Sequence, residues 1–237
     1  MRYLALVVAV GAMLPQPAMA QDASTVVASP RQTFNFNHDW RQATGDLKGA
    51  EQAAFDDRKW QSVTLPHAFN EKQAFARDIK QLSTGITWYR KRFALPPGSA
   101  GKKAFLEFEG VRQAAEVWVN GRPVALSENG AMAFGADISG ALVAGENVVA
   151  VRVDNDWKYR ERATNSPFQW NNDNFNVNYG GITKNVRLHL AGPVYQTLPL
   201  FTGLGTTGQY VWGDAFDLPR RTATIHGETQ VRNEGAA

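Results

Sequence analysis

Cysteine is missing from all 237 residues. That excludes a disulfide framework and a lipid-modified N-terminal cysteine, so stability has to come from burial alone. Histidine is scarce: the four, at positions 38, 67, 189 and 226, match neither a zinc spacing nor a Ser/His/Asp set. No Walker loop and no dinucleotide fingerprint is present, because none of the 21 glycines opens a helix after a strand. No segment keeps a helical period over three turns, and after the first twenty residues none is apolar enough to anchor the chain in a membrane. The formal charge is only +3, with 25 basic residues interleaved among 22 acidic ones, which argues against nucleic acid as a partner.

The apolar run that does occur is at the start. Arg2 precedes Leu4 to Leu14, and Ala18-Met19-Ala20 follows as a small-residue cleavage site. Residues 1–20 therefore read as a bacterial-type signal peptide cleaved after Ala20, and the mature protein is expected in the periplasm or secreted.

The remainder is rich in aromatics, with seven Trp, thirteen Phe and six Tyr. Short alternating runs separated by turn signals read as strands. Trp88 to Phe93 is one, closed by Pro96-Pro97-Gly98; Lys103 to Phe108 is the next. Glu116-Val117-Trp118-Val119 runs into Asn120-Gly121, the dipeptide best suited to a type I′ hairpin, and returns through Arg122-Pro123-Val124. Val148 to Val153 is dense in β-branched residues, as a strand buried on both faces would be. A polar and aromatic stretch from Asp154 to Gly181 lacks a regular pattern and is long for a compact domain, which marks either a functional loop or a misread element. Val186 to Leu190 resumes alternation, and Gly192-Pro193 marks a boundary. Beyond it, Gln209 to Trp212 and Ala223 to Arg232 supply only two or three strands where a sandwich needs about seven. The expected organisation is a signal peptide at 1–20, a sandwich domain at 21–192, and the truncated start of a second sandwich at 193–237.

Several segments, in order, carry a resemblance. They are Trp60 through Leu65-Pro66-His67, Thr87-Trp88-Tyr89-Arg90-Lys91-Arg92-Phe93, Leu106 to Val111 and Ala115 to Gly121. Phe134 with Asp137-Ile138, Gly145 to Val151 and Gly180-Gly181-Ile182 complete the set. Together they cover roughly residues 34 to 191 and resemble the N-terminal domain of family 2 glycoside hydrolases, the β-galactosidase and β-glucuronidase group. Thr183-Lys184-Asn185 departs from the aromatic and arginine that commonly follow Gly-Ile in this family.

The resemblance implies an all-β fold: a jelly-roll-like, galactose-binding-like β-sandwich followed by an incomplete immunoglobulin-like β-sandwich. It also implies a (β/α)₈ barrel carrying the two catalytic glutamates beyond Ala237, so no catalytic residue is expected within the chain. Retaining hydrolysis needs two carboxyl groups about 5 Å apart. Asn233-Glu234 resembles the acid-bearing pair of such barrels, but it ends a strand of the second sandwich and reads as a solvated strand end.

Candidate sugar contacts lie in the long loop. Asp154, Asn155 and Asp156 follow the strongest strand, where side chains converge on a rim, and β-galactosidases of the resembled family line a sugar subsite with an acidic residue of the corresponding loop. The same residue types also serve turns through their own backbone bonds, so both readings stand. Trp157 and Trp170 offer rings for the apolar face of a pyranose, and core packing is the alternative. Asp154, Asp156 and Asp173 do not follow a calcium-loop spacing, and no metal or other cofactor is expected. The expected partners are carbohydrate, of the β-galactoside or β-glucuronide class, and the C-terminal barrel of a longer enzyme. A self-sufficient lectin-like sandwich is the rival reading.

The leader reading predicts that exported protein begins at Gln21. Intact-mass spectrometry of periplasmic or secreted material checks it, and retention of Met1 to Ala20 in that material would overturn it.

Overall fold

A computed structural model describes residues 31–76, 84–167 and 179–235. Its strands are β1 (Gln32–Asn35), β2 (Trp40–Thr44), β3 (Gln61–Val63), β4 (His67–Ala68), β5 (Ile86–Ala94), β6 (Lys103–Phe108), β7 (Ala114–Val119) and β8 (Arg122–Ser127). They continue with β9 (Phe134–Asp137), β10 (Glu146–Asp154), β11 (Gly181–Ile182), β12 (Val186–Ala191), β13 (Val194–Gln196), β14 (Gln209–Asp217), β15 (Thr222–Thr229) and β16 (Val231–Asn233). Among the described residues a short α-helix, α1 (Glu71–Ala76), and 3-10 turns at Ser139–Ala141 and Leu200–Thr202 interrupt the series. The chain is all-β, as expected; most strands named from sequence are present with ends shifted by up to three residues, but the one begun at Gln209 runs on to Asp217 and the run Ala223 to Arg232 is divided between β15 and β16.

Two antiparallel sheets face each other. One has the order β1-β12-β6-β9, the other β3-β2-β5-β10-β7-β8. Alternation divides the side chains between two layers. Val149, Val151 and Val153 of β10, Val117 and Val119 of β7, and Tyr89 and Phe93 of β5 point into the sandwich. There they meet Leu106, Phe108, Leu188 and Leu190 of the facing sheet. Phe108 and Phe134 stack at 4.9 Å across neighbouring strands.

The opposite face of the six-stranded sheet is also covered, which is why β10 reads as continuously apolar. Ala150 and Trp88 pack with Ala50, Leu47, Phe55 and Trp60 of the segment between β2 and β3. Trp88 stacks on Trp118 at 5.4 Å. A buried ion pair holds this cover down. Arg90, fully buried, donates from Nε to Oδ2 of Asp57 at 2.8 Å. Its Nη1 donates to the Ala50 carbonyl and, at 3.0 Å, to that of Gln52. One guanidinium thereby satisfies carbonyls that the folded-over segment leaves without strand partners.

The Asn120-Gly121 turn has φ values of 53° and 78°, the pair of positive angles a type I′ turn requires. The Asn120 side chain does more than permit the turn. It accepts the Val148 N–H at 2.9 Å and donates to Asn147 Oδ1 at 2.8 Å, tying one hairpin to the turn that starts β10.

Residues 193–235 form two small sheets, β13 with β16 and β14 with β15. They dock on the first sandwich. Tyr195 and Leu198 pack with Phe105 and Ala191. Lys103 Nζ lies 2.8 Å from Asp137 Oδ2 and 2.8 Å from Glu234 Oε2, while the Tyr195 hydroxyl donates to Glu234 at 3.0 Å. Glu234 is exposed at the end of β16, as expected, and also links the two parts. The Lys103 hydrogen bond is the main reason its carboxyl is held below the usual carboxylate range.

Arg90→Met removes the nearest partner of Asp57 and leaves it only the more distant Arg41 and Arg92, at 3.9 Å and 4.0 Å from its other oxygen. The expected loss of stability is about 3 kcal/mol, read by denaturant unfolding, because breaking a buried pair is expensive even where more distant partners remain. A change below about 1 kcal/mol would show that Arg41, Arg92 or water satisfies Asp57 without Arg90.

Candidate functional site

The candidate residues sit at one end of the six-stranded sheet. Nine consecutive residue pairs join β5 to β10 and place Asp154 opposite Ile86, and β7 places Ala114 on its other side. The end of β10 and the starts of β5 and β7 therefore make a common rim. A cleft of about 300 Å³ opens there, walled by Gly85, Ile86, Asp154, Asp156, Lys158 and Tyr159.

Both aspartates cap the local backbone, so the turn reading is realised in full. Asp154 Oδ1 accepts the Asp156 N–H at 3.0 Å, and Asp156 Oδ1 accepts the Lys158 N–H at 2.7 Å. Each still faces the cleft. The second oxygen of Asp154 lies 3.7 Å from Arg152, which is shared with Asp46 and Glu116. Tyr159 donates to Glu128, and its phenol is pushed well above the ordinary range, first by burial and then by that carboxylate. It remains a neutral hydroxyl.

Asn155 has a different place from the rim contact expected of it. It is fully buried, its Oδ1 accepts the Gly85 N–H at 3.0 Å, and its own N–H bonds the Gly85 carbonyl at 3.1 Å. The amide braces the rim from behind and has no surface to offer a ligand. Trp157 is half-buried and is not among the cleft's walls. Trp170, with Asp173, lies outside the described residues.

A second hollow, of about 200 Å³, was not expected from the sequence. Pro66, His67, Ala68, Glu71, Tyr179 and Thr183 line it. β4 and β11 pair across its base, with Ile182 opposite His67. The chain leaves no room at Gly180, next to Tyr179: a Cβ there would lie 2.3 Å from the Phe69 ring and 2.6 Å from the Asn155 amide. Only glycine lets the loop return this close. The available signal was Leu65-Pro66-His67, a polar residue after a rigid turn. His67 Nδ1 is 2.9 Å from the Tyr89 hydroxyl, itself buried in the core. Burial lowers the His67 pKa, and Glu71 opposes this only in part.

The rim cleft thus combines two carboxylates, an ammonium and a neutral phenol, and the second hollow holds an imidazole beside Glu71. Such a set accepts and donates hydrogen bonds to a hydroxyl-rich ligand. Among the described residues no group of three or more His, Asp or Glu is arranged to hold a metal ion.

Comparison with known proteins agrees with this geometry. The family described as "Glycosyl hydrolases family 2, sugar binding domain" matches residues 47–192. A β-glucuronidase of Formosa agariphila is 37% identical over 222 residues, covering 89% of this chain and 22% of that protein. A β-galactosidase of Bacteroides ovatus is 32% identical over 219 residues, covering 90% of this chain and 23% of that protein. Among solved structures, a β-glucuronidase from glycoside hydrolase family 2 superposes with a TM-score of 0.79 at 36% identity, over 89% of this chain and 23% of that one. The chain spans less than a quarter of these relatives.

The His67 environment predicts a pH effect. A histidine whose folded pKa lies below its unfolded value near 6.5 binds its proton more readily when unfolded, so its contribution to stability is present above about pH 6.5 and fades as pH falls toward the folded pKa. Wild-type protein should lose more thermal stability between pH 7 and pH 5 than His67→Asn. Equal losses would show that His67 is solvated in the folded state.

Proposed function

The chain belongs to glycoside hydrolase family 2, and from that membership we propose that it forms one wall of a sugar subsite in an exported enzyme that cleaves β-galactosides or β-glucuronides. The observation that carries this reading is the cleft at the end of β10, where Asp154 and Asp156 face open space although each also caps a turn. A carboxylate oxygen that already accepts one backbone N–H retains a second lone pair for a sugar hydroxyl.

Hydrolysis is assigned to another part of a longer protein. A retaining mechanism needs an acid/base and a nucleophile about 5 Å apart on either side of the glycosidic bond. The rim carboxylates are instead tied to backbone N–H groups and to Arg152, which favours binding and orientation over proton transfer. The role of the domain is then to fix the sugar while residues elsewhere react. Residues 193–235 are read as the start of a second sandwich, held to the first by Lys103 and Glu234. The leader at 1–20 makes export part of the same proposal.

A handful of hydroxyl hydrogen bonds, each contributing a net of about 1 kcal/mol, less the cost of association, gives a dissociation constant on the order of millimolar. Titration of labelled protein with galactose, glucuronate and a β-disaccharide should move the amide resonances of residues 156 to 159 and saturate for one of them. Asp154→Ala or Asp156→Ala should weaken that binding about tenfold with the fold intact. Sub-micromolar affinity would favour a self-sufficient lectin. No shift at tens of millimolar, a level above the affinity expected here, would remove the sugar-subsite assignment.

A further inference from the structure

The β14–β15 hairpin has two unlike faces. Cross-strand pairs on one face are Tyr210 with Glu228, Trp212 with His226 and Asp214 with Thr224; Val211 and Ile225 point the other way. The aliphatic face, where Val211 and Ile225 are 56% and 67% exposed, is the one a further protein layer would cover. The aromatic and polar face is left for solvent. It is ordered by its own contacts: the Trp212 and His226 rings stack at 5.0 Å, Tyr210 lies 5.3 Å from Trp212, and His226 bonds Asp214 at 2.9 Å.

At the end of this row is a cleft of about 430 Å³ lined by Leu200, Thr207, Gly208, Tyr210 and Glu228 to Gln230. Its polar groups are oriented by what lies beneath them. Gln230 Oε1 accepts both the Thr207 backbone N–H at 3.0 Å and the Thr197 hydroxyl at 2.9 Å. A backbone N–H can only donate, so the amide oxygen is fixed inward and the NH₂ is turned the other way, with no acceptor among the described residues. Thr229 Oγ accepts from Gln196 at 2.8 Å, leaving its own proton to donate. Glu228 has no hydrogen bond or ion pair among the described residues, and its carboxylate lies directly across the ladder from Tyr210, whose ring is 63% exposed.

We propose that this cleft is a second carbohydrate-binding site, separate from the β10 rim, that takes a neutral pyranoside. The Tyr210 ring and Leu200 receive the apolar C–H face of the sugar. The Glu228 carboxylate accepts hydrogen bonds from adjacent hydroxyls, and the Gln230 NH₂ donates to a ring or hydroxyl oxygen. An uronate is disfavoured, because its carboxylate would approach that of Glu228 without an intervening cation. The choice of carbohydrate as ligand class rests on the family reading above; the location and the preference for a neutral sugar do not.

The test is a titration of the labelled intact chain with methyl β-galactoside, lactose and methyl β-glucuronide, following the Trp212 indole and the Gly208 and Gly227 amides alongside the rim amides. A neutral sugar should shift the hairpin resonances with a dissociation constant on the order of millimolar, and the glucuronide should shift them at least several-fold more weakly. Tyr210→Ala and Glu228→Ala, both at exposed positions and expected to leave the melting temperature unchanged, should each weaken hairpin binding about tenfold, whereas Asp154→Ala should not affect it. Rim shifts without hairpin shifts would overturn the second site and leave the rim subsite standing. Shifts at neither would remove both. Equal binding of the glucuronide would overturn the role given to Glu228.

Discussion

The pairing of β5 with β10 is the constraint on which the rest of the structure depends. Nine residues of each strand are matched, from Glu146 opposite Ala94 to Asp154 opposite Ile86. A slip of one residue would turn Val149, Val151 and Val153 out of the core, so the register is fixed by burial. Fixing it also fixes where β10 stops. Asp154, the last residue of the strand, comes to lie beside the first residue of β5, and the cleft follows from that adjacency.

The same pairing explains why the six-stranded sheet needs a second cover. A strand in its middle is apolar on both faces, and the sandwich occupies only one of them. The segment from Leu47 to Trp60 shields the other, and it has little regular structure with which to satisfy its own carbonyls. Arg90 resolves this by reaching from β5 into the cover and bonding several carbonyls as well as Asp57. At the far end of the strands, Asn155 does a related job on a smaller scale, clamping Gly85 so that β5 enters at a fixed position. Both are polar groups buried to hold irregular chain onto a regular sheet, and Asn155 lies behind the rim assigned to a ligand.

The alternation of Trp88 to Phe93, the β-branched run of Val148 to Val153 and the Asn120-Gly121 turn made the sandwich legible, because local pattern and burial agree there. Short strands such as β4 and β11 were not legible: two residues have no period, and their pairing depends on a loop return made possible by Gly180. The end of β10 falls within a residue of where the sequence places it, since a strand's end is set by its own pattern. The side chains of the rim were harder to assign. Asp and Asn read alike in sequence, yet Asp154 and Asp156 face the cleft while Asn155 is buried, a difference of direction that alternates residue by residue. The hollow at His67 was missed because it is assembled from three separated segments. Glu234 is the exposed strand end expected of it, but its link to Lys103 and Tyr195 was not legible because those partners are far away in sequence.

What links these observations to chemistry is a claim about the direction in which the rim faces. If residues 154 to 159 form one wall of a sugar subsite, their carboxylates point at the ligand and the catalytic groups of a longer enzyme lie across it. A crystal structure of that enzyme with a β-galactoside or β-glucuronide analogue bound is the most direct measurement. The account predicts a carboxylate oxygen of Asp154 or Asp156 at roughly 2.6–3.2 Å from a sugar hydroxyl. A bound sugar with no atom in contact with residues 154 to 159 would contradict it.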